Sequence, residues 1–142
     1  MDPLMRPKVG IGVAIFKEGK VLMSIRKGGK ADGEYQFPGG HLENQESFEE
    51  CARREVREEC RLEISNILFS FVANGKKYAP KHFVHLGFTA DWHWGEPKQM
   101  EPDKSGPWDW YEIESMPKPT FYWCDLQARA LKEGLNYFDN IV

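Results

Sequence analysis

No run in this chain approaches the ~20 consecutive apolar residues that a membrane-spanning helix needs, and Met1 to Lys8 has no apolar core of a secretory leader. Cysteine is scarce. Cys51, Cys60 and Cys124 are an odd number without the spacing of a disulfide framework, and no Cys-x2-Cys or His-x3-His pair supports structural zinc. Nor is basic charge concentrated anywhere: 19 Lys and Arg are scattered among 22 Asp and Glu, for a net charge of −3. That balance argues against duplex nucleic acid as a partner and leaves small ligands. There is no internal repeat, linker or low-complexity stretch. These absences lead us to expect a cytoplasmic protein with no membrane partner.

The 142 residues suit one domain spanning 1–142, with residues 1–8 as an N-terminal extension, and 41% hydrophobic residues are enough for one core. Residues 9–16 alternate with period two, placing Val9, Ile11, Val13 and Ile15 on one face and Gly10, Gly12, Ala14 and Phe16 on the other. That predicts a buried strand whose small-residue face admits either a closely packed helix or a ligand. A turn at 17–20 returns the chain as a second strand over 21–26, and 28–33 reads as loop. Tyr35 to Phe37 is a short extended piece stopped by Pro38. Ser47 followed by Glu50 is a capping box, and Phe48, Cys51, Ala52, Val56 and Cys60 form an apolar stripe, so a helix is expected over about 48–60. Long strands over 64–73 and 83–94, a loop over 95–107, a strand over 108–113 and a helix over about 123–132 complete the pattern. An α/β sandwich with a mixed sheet follows.

The stretch Gly39 to Leu62 is the chemically unusual one. Glu55 lies three residues before Glu58 and four before Glu59, so all three carboxylates crowd one side of the last helical turns. Like charges at this spacing repel, and acids near a helix C-terminus oppose the macrodipole, so local stability would not select the pattern. One reading is a solvated face neutralised by Arg53, Arg54 and Arg57. The other is a site for a hard divalent cation, which prefers oxygen ligands and shares its remaining positions with water and phosphate. The carbonyl of Gly39, in the preceding glycine turn, is positioned in sequence to add one ligand.

Gly40, Glu46, Arg54, Glu55, Val56, Glu58, Glu59 and Leu62 resemble the signature of the Nudix hydrolases, G-x5-E-x7-R-E-U-x-E-E-x-G-U, with U a bulky aliphatic residue. One position departs: Arg61 stands where the signature has its second glycine. Gln36 to Glu43, Glu96 to Lys104, Trp108 to Trp110 and Leu131 to Glu133 extend the likeness to the MutT-homologue nucleotide diphosphatases, over roughly residues 9–135. The resemblance implies a Nudix-type α/β/α sandwich and a Mg²⁺-dependent enzyme, with Mn²⁺ a possible substitute. It would split (deoxy)nucleoside triphosphates into monophosphate and pyrophosphate by activating water.

Carried over residue by residue, the resemblance makes Glu55 and Glu59 the main metal ligands, Glu58 a further ligand or the base, and the Gly39 carbonyl another ligand. Arg54 would orient the carboxylates together with Glu46. Glu101 is the candidate for a late-loop ligand and Asp103 the second choice, against the plain reading of an exposed acidic loop. Arg26 and His41 become candidate phosphate or sugar contacts, although His41 equally suits a turn brace. Gln36 is the candidate base reader, and Phe121, Tyr122 and Trp123 are candidate stacking surfaces or simply core. His85 and Phe83, on one face of a strand, are expected to line the same pocket. Relatives are often homodimers, so self-association is the one expected protein partnership.

Competing readings stay open on sequence alone. The same chemistry suits dihydroneopterin triphosphate, a prenyl diphosphate, or a nucleoside diphosphate linked to sugar or choline. A non-catalytic nucleotide-binding module fits least, because all three glutamates are present.

Overall fold

The computed structural model describes residues 5–29 and 31–139. In chain order the strands are β1 (Lys8–Lys17), β2 (Lys20–Ile25), β3 (Tyr35–Gln36), β4 (Gly39–His41), β5 (Glu63–Gly75), β6 (Phe83–Trp94), β7 (Asp109–Glu112) and β8 (Tyr137–Phe138). Helix α1 (Phe48–Cys60) sits between β4 and β5, and α2 (Tyr122–Glu133) precedes β8. The sheet is mixed, in the order β3-β2-β1-β6-β5-β8, with β4 on β1 and β7 on β2. Strand β1 runs parallel to β6 from Lys8 opposite Phe83 to Phe16 opposite Asp91.

Period-two alternation along β1 decides which helix covers which face. Ile11, Val13 and Ile15 point into a core shared with Cys51, Ala52, Val56 and Cys60 of α1. Ala14, on the opposite face, packs with Met23, Phe37 and Cys124 of α2. Along β5 the same rule sends Phe71 and Ala73 to Trp123, Leu126 and Ala130 of α2. The sheet therefore lies between the two helices, as an α/β/α sandwich.

The boundaries differ modestly from the sequence expectation. The strand expected over 108–113 is Asp109–Glu112, because Ile113–Ser115 closes into a 3₁₀ turn. The last helix begins at Tyr122 rather than Trp123. Strands β4 and β8 have too few residues for any periodicity and are set by tertiary pairing alone. The free edge of β1 is divided: Gly10–Gly12 pair with β4, whereas Phe16–Lys17 pair with β2. This division brings the Gly39–Gly40 turn against α1.

Candidate active site

Helix α1 is held firmly at both ends. At its start the Ser47 hydroxyl accepts from the Glu50 N–H at 3.0 Å and the Glu50 carboxylate accepts from the Ser47 N–H at 3.3 Å. At its end Arg61 adopts the left-handed conformation, φ +58° and ψ +41°, with its N–H bonded to the Arg57 carbonyl. Arg61 therefore takes up the backbone geometry that a glycine would accept without strain. The final carbonyls of α1 are satisfied from the 95–107 loop and beyond it. The Glu59 carbonyl accepts from Trp108 Nε1–H at 3.1 Å and from the Met100 N–H at 3.3 Å, and the Cys60 carbonyl accepts from the Lys98 N–H at 2.9 Å. These bonds carry Glu101 to the acidic end of the helix.

The three arginines of α1 do not share the neutralisation of its crowded glutamates. Arg53 pairs with Glu49 and donates to the Ile64 carbonyl, while Arg57 pairs with Glu63. Only Arg54 is left for the crowded glutamates. It donates to both oxygens of Glu46, at 2.6 and 3.0 Å, to Glu55 at 2.7 Å, to Glu58 at 3.3 Å and to the His41 carbonyl at 3.0 Å. The Arg54 guanidinium holds the Glu46 carboxyl down to about 2. Glu59 accepts a weak bond, 3.4 Å, from the Gly39 N–H and meets the Glu55 carboxyl side chain to side chain.

Glu55 and Glu59 are raised above the usual carboxylate range, both chiefly because they are withdrawn from water. For Glu59 the charges of Glu55 and Glu101 add to the effect, and the Gly39 N–H opposes it. Gly40 makes the approach possible, because a Cβ there would collide with the Glu55 carboxylate. An oxygen-only set of mutually repelling, desolvated carboxylates fits a hard divalent cation. Among the described residues, no three His, Cys, Asp or Glu side chains are spaced as a finished cage. The set is open, as suits an ion that keeps water and phosphate among its ligands. Glu101 is partly exposed and pairs with Lys104 at 3.5 Å, while Asp103 is exposed.

Beside Gly39 and Gly40 opens a cavity of about 660 Å³. Arg26, Gln36, His41, His85, Phe121 and Trp123 all line it, as does Phe83. Tyr122 is not among the lining residues. Its ring packs against Trp123 and beneath the Lys77 ammonium, so its expected role as a stacking surface has no support from its position. The floor follows from strand register: Lys8, Gly10 and Gly12 of β1 share a face, with Phe83 and His85 of β6 on one side and Gly39 and His41 of β4 on the other. The His85 ring comes within 3.1 Å of where a Gly12 Cβ would lie, so the small-residue face serves an imidazole as well as the cavity.

His85 is buried and stacks on Trp123, with ring centroids 4.8 Å apart. Burial pulls its pKa down to about 3, so at neutral pH it is an uncharged part of the wall. The His41 carbonyl accepts from Arg54, bracing the turn, and its ring stacks on Phe83 and lines the cavity. Arg26 donates to Gln36 Oε1 at 2.7 Å and lies 4.3 Å from the Phe121 ring centre, while its buried Nε–H has no partner among the described residues. Lys8, Tyr78 and Lys81 are among the lining residues that escaped sequence reasoning. Lys8 could have been found from its place two residues before Gly10 on the same strand face; Tyr78 and Lys81 lie in a loop with no local signature.

The model of the NUDIX domain matches residues 6–130, most of the chain. The protein belongs to the Nudix family. This Nudix protein is 33% identical over 137 residues to the oxidized purine nucleoside triphosphate hydrolase of Danio rerio, covering 89% of the chain and 82% of that relative. It is also 30% identical over 105 residues to the NAD-capped RNA hydrolase NudC of Pseudomonas entomophila, where it spans only 37% of the relative's length. Among solved structures, the MutT NUDIX hydrolase from Burkholderia pseudomallei superposes with a TM-score of 0.84 at 26% identity, over 89% of this chain and 99% of the other. This Nudix protein is accordingly a hydrolase of phosphoanhydride bonds in nucleotide diphosphate derivatives, a family chemistry that generally uses divalent metals.

Proposed function

We propose that this Nudix protein is a Mg²⁺-dependent pyrophosphohydrolase that cleaves (deoxy)nucleoside triphosphates to the monophosphate and pyrophosphate. The observation carrying this reading is the composition of the cavity. Among the described residues, Arg6, Lys8, Arg26 and Lys81 line it without a single carboxylate, although the chain as a whole is acidic. A polyanion is attracted to such a cavity, and its apolar depth at Phe37, Phe121 and Trp123 suits a base. The first relative above, named for nucleoside triphosphate hydrolysis, agrees with it and is matched over most of its length.

In this reading Glu55 and Glu59 bind the cation, with Glu58, Glu101 and the Gly39 carbonyl as further donors. When bound, the metal neutralises phosphate charge and lowers the pKa of a water molecule. Arg54 holds Glu55 and Glu58 in place and is itself held by Glu46. Glu58, the more exposed of the two helix glutamates that Arg54 touches, is the proton acceptor for the attacking water. His41, Lys8 and Arg26 contact the phosphates or sugar, Gln36 reads a base edge, and Phe121, Trp123 and His85 form the walls around the base.

The test is a panel of nucleoside tri- and diphosphates with Mg²⁺, following pyrophosphate and orthophosphate separately. Pyrophosphate from triphosphates is the expected result. Orthophosphate alone, or preference for a sugar- or choline-linked diphosphate, would replace the proposed substrate while keeping the chemistry.

A further inference from the structure

Three segments that are distant in sequence meet along one wall of the cavity. Gly29 and Ala31 come from the β2–β3 loop, Tyr78, Pro80 and Lys81 from the β5–β6 loop, and Phe121 and Trp123 from the start of α2. Tyr78 belongs to the second and touches the other two. Its hydroxyl donates to Glu34 Oε1 at 3.3 Å and accepts the Tyr122 N–H at 3.3 Å. Its ring stacks on Phe121 at 5.5 Å and meets Trp123 edge-on at 6.0 Å.

The Tyr122 bond answers a local need. Phe121, at the N-cap of α2, has no side chain able to accept from the first turn, and no side-chain cap is made. A hydroxyl from another element supplies an acceptor there instead. Because the ring that carries this hydroxyl also lies on Phe121, one residue sets the orientation of the helix start and of the aromatic surface beside Arg26. Gly75 permits the arrangement at the root of the loop, since a Cβ there would strike the Trp123 ring.

We propose that Tyr78 is a positioning residue for base selection: by clamping Phe121 and Trp123 to the β2–β3 loop it sets the width of the base-binding end of the cavity. This deepens the function proposed above and rests on it. The partners of Tyr78 are Glu34, Phe121, Tyr122 and Trp123, not Glu55, Glu58, Glu59, Glu101, Arg54 or Gly39, so its effect falls on how the base is held and not on how the phosphate is attacked.

The experiment compares wild type with Tyr78→Phe, which keeps the ring and loses both hydrogen bonds, and Tyr78→Leu, which loses both features. Each is assayed with the preferred nucleoside triphosphate and with the abasic deoxyribose 5′-triphosphate, after a thermal melt shows it folded at the assay temperature. Loss of one or two modest hydrogen bonds predicts a KM for the nucleotide raised about threefold to tenfold in Tyr78→Phe and further in Tyr78→Leu. We expect kcat to stay within about twofold and the abasic substrate to be unaffected. A fall in kcat at unchanged KM, an equal loss on the abasic substrate, or variants equal to wild type on every substrate would overturn the inference. Calorimetric binding of the nucleoside monophosphate makes the same comparison without turnover. If wild type splits no triphosphate, the functional reading fails; weaker monophosphate binding by Tyr78→Phe would still uphold the Tyr78 assignment, and unchanged or absent binding would overturn it.

Discussion

At the scale of single residues, Glu59 and Arg61 mark opposite compromises at one helix end. Glu59 is an acid withdrawn from water beside a second acid, with one weak backbone bond in return. Glu59→Gln removes that repulsion, so its melting temperature in a chelator is expected to equal or exceed that of wild type. Added Mg²⁺ is expected to stabilise wild type by mass action and leave the variant nearly unmoved. Turnover should fall on the order of a hundredfold or more if several kcal/mol of metal-dependent stabilisation is lost. Retained activity at near wild-type levels would remove Glu59 from the proposed ligand set. Arg61 is different, because its cost lies in the backbone. A non-glycine residue at φ +58° carries strain that glycine avoids, so Arg61→Gly should stabilise by about 1 kcal/mol, read as a rise in melting temperature. Activity should not change; a lower melting temperature would mean that the Arg61 side chain contributes more than its backbone costs.

At the scale of elements, α1 works as a frame whose rigidity comes from both ends. Its capping box and apolar stripe were readable from Ser47, Glu50 and the spacing of Cys51, Val56 and Cys60, because both are local rules of the helix. The division of labour among its arginines was not readable. Arg53 and Arg57 are drawn off by Glu49 and Glu63, and Glu63 lies on the following strand, so only the folded chain shows that Arg54 alone serves the glutamates. The Arg54–Glu46 pair has a pH signature. Glu46 sits at about 2 in the folded protein against 4.5 for the ordinary group, so its stabilisation is fully present above the unfolded value. It is lost progressively as pH falls from that value toward 2. Urea midpoints measured down this range should fall less steeply for Glu46→Gln than for wild type. Glu55 and Glu59, with raised values, act in the opposite direction, and the paired comparison cancels them. Parallel slopes for the two proteins would show that the pair adds nothing to folding.

At the scale of the whole molecule, the sheet separates two tasks. One face of β1 feeds the apolar core under α1, while Lys8, Gly10 and Gly12 on the other face form the floor of the cavity. Loops from three directions then close that cavity, and the 95–107 loop ties back to α1 to bring Glu101 toward Glu59.

The sequence by itself determined the strands and helices with strong periodicity, the membership of the Nudix family and the chemical character of Glu55, Glu58 and Glu59. Those properties depend on residues within about one helical turn or a few strand positions of each other, where backbone geometry alone sets which side chains meet. Only the tertiary structure decided that Tyr122 lies outside the cavity, that His85 is an uncharged wall stacked on Trp123, and that Tyr78 and Lys81 belong to the pocket. Each of those facts depends on which loop returns to which strand. That is settled by burial and hydrogen bonding summed over the whole chain, and it leaves no periodic trace in the loops themselves.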